Sequence, residues 1–239
     1  RFLPSLESES GLKCGSDFFL CHSPERVFSG RIFSDLRKYP KLVGGTDPKS
    51  AKRAENFYEQ ILDFDQRDDL DKPNGVWNLG TSEAAEMAKL VETTYRNVNI
   101  ALANEFALHA QKIGLDIQPI IDASNSQPFS HVHQPGIAVG GHCIPVYPKF
   151  YLSTDTEASL PAASIRLNES MPEKSIEILE SLMGSIENKT VAVLGAAYRG
   201  GVKETAFSGV FPLVQEIERL GGIAVVHDPM YSEDDLKAL

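Results

Sequence analysis

The longest regular pattern in the chain lies between Ser82 and Gly114. Apolar side chains recur there at Met87, Leu90, Val91, Tyr95, Val98, Leu102, Phe106 and Ala110. This is the spacing of one helix face, and the pattern predicts one uninterrupted helix ended by Gly114. Such a helix is long enough to be a spine between domains and to bury a face against a partner helix. Before it, short apolar runs alternate with polar stretches. Asp17–Cys21 reads as a buried strand, and Lys41–Gly45 as a second strand stopped by two glycines. Asp47-Pro48 caps a helix to about Leu62, and Val76–Leu79 forms a third strand. Together they predict the tail of a parallel α/β sheet. After the long helix, a short helix is expected in 115–126, an irregular loop in 127–148, and a helix from Pro172 to about Met183. Thr190–Gly195, a helix over 208–220 and Ile223–Asp228 then read as the opening of a second βαβ unit.

The predicted fold class is therefore α/β. The end of a first Rossmann-like domain (1–80) is followed by a central helical domain with the loop (81–171). The start of a second Rossmann-like domain occupies 172–239. The chain opens Arg-Phe-Leu-Pro without Met and ends soon after its last strand, so it reads as a segment truncated at both ends.

Composition changes the picture only modestly. With 239 residues and 42% hydrophobic content the chain is an ordinary globular one. Its formal charge of −10 argues against nucleic acid as a partner. No apolar run suits a membrane span. Three cysteines without a Cys-x-x-Cys pair make a poor disulfide framework and point to a reducing, cytoplasmic setting.

The candidate chemistry centres on Gly140-Gly-His-Cys-Ile-Pro-Val-Tyr-Pro148. Two glycines permit close approach to a ligand, and two prolines stiffen the loop around Cys143. A thiol held this way suits a nucleophile. The alternative is a small buried hydrophobe, as most free cysteines are. His131, His133 and His142 lack the companion ligands of a known metal-site spacing, so no metal is expected.

Six segments carry a resemblance: Ser23–Val27, Ala85–Leu90, Tyr95–Glu105, Gly140–Pro145, Val193–Tyr198 and Asp228-Pro229. In order and spacing they resemble the UDP-glucose/GDP-mannose dehydrogenase family, and within it the branch acting on UDP-N-acetylmannosamine. The resemblance implies a four-electron oxidation of a sugar C6 hydroxyl to the acid, with NAD as cofactor and a UDP-sugar as substrate. It implies Cys143 as nucleophile, Lys89 as the cation facing the oxyanion, and Glu25 as a group placing water or sugar. Thr93 stands where many members have an Asn donor. Arg96, His133, Gly140, Gly141 and Arg199 are the implied substrate-binding residues. Arg199 replaces a common Lys and suits phosphate by bidentate bonding. Tyr147 stands where an Asp normally follows the cysteine, which leaves the base for hydrolysis open. The family's Gly-x-Gly-x-x-Gly loop does not occur in the chain, so NAD-binding residues are not assigned. A homodimer through the central helix is expected. A non-catalytic dimerisation and substrate-loop module, or a decayed homologue, is the alternative.

Overall fold

The computed structural model describes residues 2–239, which divide into two compact units that meet between Val91 and Glu92 in the sequence.

The first unit carries a three-stranded sheet in the order β1 (Cys21–His22), β2 (Lys41–Gly45), β3 (Val76–Thr81). Helices α1 (Phe2–Ser10) and α2 (Ile32–Lys38) precede β2, and α3 (Pro48–Ile61) links β2 to β3. The β2–α3–β3 crossover is parallel, as the alternation predicts. Asp47 caps α3, accepting from the N–H groups of Lys49 and Ser50, with Pro48 in the first turn.

Two expectations change in this unit. β1 is only two residues long and runs antiparallel to β2, so the sheet is mixed. The apolar run before it is half-buried rather than a buried strand, because Lys13–Asp17 closes into a hydrogen-bonded turn. The glycines at 44 and 45 also do not stop β2. They lie within it, and a Cβ on Gly44 would run into the Thr81 backbone of the neighbouring strand.

Helix α4 (Ser82–Lys112) has the predicted length, and Gly114 follows it with φ +73°. Its first-turn cap comes from the Thr81 hydroxyl, which accepts from Ala84 N–H.

In the second unit, α5 (Ile117–Asn125) leads into the irregular 126–146 segment, and α6 (Tyr147–Thr154) follows the cysteine. Helix α7 (Ser159–Met183) does not begin at Pro172 but runs straight through it. Pro172 costs an intrahelical hydrogen bond. Packing on both sides offsets it: Asn168 is tied to Asn97 and Asn104, and Ile176 lies in the core. The unit ends in β4 (Thr190–Leu194), α8 (Val210–Arg219), β5 (Ile223–His227) and α9 (Glu233–Lys237), with β4 and β5 parallel. Ile176, Ile186, Val193, Val210, Leu213 and Ile217 form its apolar core.

Candidate active site

In the first unit Lys89 and Glu25 meet. Lys89 is only 4% exposed, and its ammonium donates to the Glu25 backbone carbonyl at 2.6 Å. The Glu25 carboxylate is held elsewhere. Its Oε1 accepts from the N–H groups of Arg26 (2.8 Å) and Val27 (3.2 Å), and its Oε2 faces Lys41 Nζ at 3.3 Å. Burial pushes this carboxyl up, but the Arg26 N–H, the Lys41 charge and the Val27 N–H outweigh burial and hold it below the usual glutamate value. Glu25 is thus ionised at neutral pH.

One turn beyond Lys89 on α4, Thr93 is fully buried. Ala85, Lys89, Thr93, Asn97 and Ala101 form a row at four-residue spacing, all of them buried, and Asn104 extends it. The apolar row expected to be the buried face is largely exposed instead. Met87, Val91, Tyr95, Leu102 and Phe106 all face solvent, and of that row Ala110 alone is fully buried. The inversion has a physical cause. Asn97, Asn104, Ser164 and Asn168 satisfy one another between α4 and α7. Ser164 donates to Asn97 Oδ1 (2.9 Å), and Asn168 Nδ2 to the Asn97 carbonyl (3.0 Å). Asn104 Nδ2 donates to Asn168 Oδ1 (3.0 Å). The four-residue spacing of small and polar residues was the signal for this face.

The loop is anchored at both ends. Asn104 Oδ1 accepts from Gly136 N–H, and Asn99 bridges the His131 carbonyl and the His133 N–H. Arg96 pairs with Glu92 at 3.1 Å. Burial, and after it the Arg96 charge, lowers the His133 pKa, so its imidazole is neutral at pH 7.

Cys143 is half-buried, in a bend whose carbonyl accepts from Val146 N–H (3.1 Å) and Tyr147 N–H (2.9 Å) as α6 begins. Burial, and then the neighbouring Cys143, raise the Tyr147 pKa, so its phenol is no base at neutral pH. The two glycines before the cysteine meet protein here. A Cβ on Gly140 would lie 2.5 Å from Tyr198 Cβ and 2.8 Å from the Phe207 carbonyl oxygen, and Gly141 has φ +86° against the Tyr198 ring. Arg199 stacks on that ring at 5.7 Å, and its Nε lies 3.3 Å from the Tyr198 hydroxyl.

Two residues outside the sequence-predicted set shape this region. Asp228, after β5, accepts at Oδ2 from the N–H groups of Ala196 (2.9 Å) and Ala197 (3.3 Å). In this way a carboxylate ties the start of the β4–α8 connection to the end of β5. Glu204 accepts from Ala206 N–H (2.9 Å) and lies 3.3 Å from His142 Nε2. The Asp228-Pro229 pair was legible in the sequence, but its target amides were not.

Residues 83–173 match the profile of the UDP-glucose/GDP-mannose dehydrogenase family, central domain. A UDP-N-acetyl-D-mannosamine dehydrogenase of Pyrococcus horikoshii is 38% identical over 94% of this chain and 52% of its own length. A solved structure of UDP-D-ManNAc dehydrogenase from the same organism superposes with TM-score 0.84 at 36% identity, over 95% of this chain and 53% of that one. An NDP-N-acetyl-D-galactosaminuronic acid dehydrogenase structure from Methanosarcina mazei gives TM-score 0.80 at 28% identity, over 95% of this chain and 50% of that one. The chain spans about half the length of the curated relatives it matches. Its mixed α/β architecture is that of nucleotide-sugar dehydrogenases with Rossmann-like domains, and the chain belongs to the UDP-glucose/GDP-mannose dehydrogenase family.

Proposed function

We propose that the protein carrying this chain is an NAD-dependent oxidoreductase. Its reaction is the oxidation of the C6 hydroxyl of a UDP-sugar, UDP-N-acetylmannosamine above all, to the uronic acid. One observation carries the reading: Cys143 is a half-buried thiol on a loop pinned by the Val146 and Tyr147 amides, within a chain similar to such dehydrogenases along most of its length. An aldehyde cannot release a second hydride until a nucleophile makes its carbon tetrahedral. The thiol supplies that bond. Its sulfur adds to C6, the oxygen takes a proton, and oxidation of the adduct leaves a thioester. Water then attacks C6, the S–C bond breaks, and the sulfur leaves as thiolate.

In this scheme Lys89 stabilises the oxyanion, a contribution of several kcal/mol in a water-poor site. Thr93 donates beside it, and Glu25, ionised, orients the water. Arg96, His133, Gly140, Gly141 and Arg199 bind the nucleotide sugar. NAD, when bound, accepts hydride in both oxidations. The chain's own side chains supply the nucleophile, the cation at the oxyanion and the carboxylate beside the water.

We assign 1–80 to the NAD-binding domain, 81–171 to the central domain and 172–239 to the UDP-binding domain. The exposed apolar row of α4 is the homodimer contact, and the working compartment is the cytoplasm. Among the described residues no helix is long and apolar enough to cross a membrane.

Tyr147, standing where an Asp normally follows the cysteine in the family, favours a second reading, a non-catalytic dimerisation and substrate-loop module. One assay separates them. The whole protein, given UDP-N-acetylmannosamine and NAD, should form two NADH per uronic acid. One NADH per sugar, or none with any UDP-sugar, would reject the proposal.

A further inference from the structure

The three residues ahead of Cys143 are each held by one short segment, Tyr198–Phe207. Gly140 packs against Tyr198 Cβ and the Phe207 carbonyl so closely that no side chain fits. Gly141 donates its N–H to the Ala206 carbonyl at 2.8 Å and lies flat against the Tyr198 ring. His142 directs Nε2 to Glu204 Oε2 at 3.3 Å. The segment is itself closed. Tyr198 N–H donates to the Glu204 carbonyl at 3.0 Å, and the Glu204 carboxylate also accepts from Ala206 N–H. Its leading end is fixed by Asp228 through the Ala196 and Ala197 amides.

The loop needs such support. Residues 130–140 form no helix or strand, so no backbone ladder fixes their course. Beyond the Asn99 and Asn104 anchors at 131–136, the helical bend after Cys143 is a further restraint on it. An exposed contact such as His142–Glu204 adds little to global stability. Its effect is local, because it holds the residue bonded directly to the cysteine.

We propose that Glu204 and Tyr198 are positioning residues for the Cys143 thiol, with Glu204 acting through His142 and Tyr198 through the paired glycines. This rests on the reading of Cys143 as the nucleophile but is tested apart from turnover. A nucleophile displaced by about 1 Å loses much of its advantage, so a clamp on the preceding residues belongs to the catalytic design although it touches no substrate.

The test is the rate of Cys143 alkylation by iodoacetamide, followed by peptide mass spectrometry, with Cys14 and Cys21 in the same molecule as internal references. His142→Gln and Glu204→Gln should each raise the Cys143 rate about threefold to tenfold, with the reference thiols unchanged. The double variant should react no faster than either single one, since both break one contact. Gly140→Ala, which forces the loop off Tyr198, should change the rate at least as much. In the whole enzyme Glu204→Gln should lower kcat with little change in KM. Additive effects in the double variant, equal acceleration of all three thiols, or unchanged Cys143 rates in Glu204→Gln and Gly140→Ala would overturn the proposal. Loss of turnover in Cys143→Ser bears on the nucleophile alone, so the two ideas fail separately.

Discussion

Lys89 carries a positive charge into a place where almost none of its surface reaches water, and its ammonium is spent on the backbone carbonyl of Glu25. Removing the charge should therefore act twice. Lys89→Met leaves that carbonyl without this donor, a cost of about 1–3 kcal/mol, measurable as a lower urea midpoint. It also removes the oxyanion's cation, so kcat should fall by more than about a hundredfold. A fall in stability with turnover intact would confine Lys89 to a structural role. Asp228 makes a pH prediction. Hydrogen bonds from Met230, Ala196 and Ala197 hold its carboxyl below the ordinary aspartate value. The unfolded pKa is near 4. A folded pKa lower than the unfolded one contributes stability that is present above about 4 and lost as pH falls through the folded value. Urea midpoints should thus drop below about pH 4 in the parent protein and drop less in Asp228→Asn. Identical acid profiles would contradict the assignment.

Helix α4 was legible in length and both ends, because a 3.6-residue period over nine turns is hard to mistake and Gly114 marks the stop. Which face is buried was not legible from hydrophobicity. Periodicity finds a stripe, but it does not say whether this chain or another molecule covers it. Here the buried stripe is the polar one, because Asn97, Asn104, Ser164 and Asn168 satisfy each other. Asn104→Leu should strand the buried Asn168 Oδ1 at about 1–3 kcal/mol and release the Gly136 N–H, read by urea denaturation. A loss below about 0.5 kcal/mol would show that the network is dispensable. The outward row makes the complementary prediction. With Val91→Glu and Phe106→Glu together, light scattering should show the dimer mass halved at micromolar concentration, with the helical circular dichroism preserved. An unchanged mass would remove α4 as the contact. The continuity of α7 through Pro172 was not legible either, because proline's local cost is visible in sequence and the packing that offsets it is not.

At the scale of the whole molecule, the two parallel βαβ units and the short helix α5 follow the alternation of apolar runs, whereas α6 and the first half of α7 were not expected, and the family match at 83–173 lies where the motifs are densest. The antiparallel β1 departed from that alternation, since two residues carry no pattern. At the cysteine loop the residue types were legible and their partners were not. Gly140 and Gly141 signalled close approach, but what approaches is Tyr198, nearly sixty residues away in sequence. In the proposed reaction Cys143 becomes bonded to the sugar carbon during its oxidation to the acid. The most direct measurement is product analysis by mass spectrometry with Cys143→Ser in the whole protein, given UDP-N-acetylmannosamine and NAD. No uronic acid above background should form from this variant, which still binds the nucleotide sugar. Uronic acid formed at the parent rate would contradict the proposed reaction.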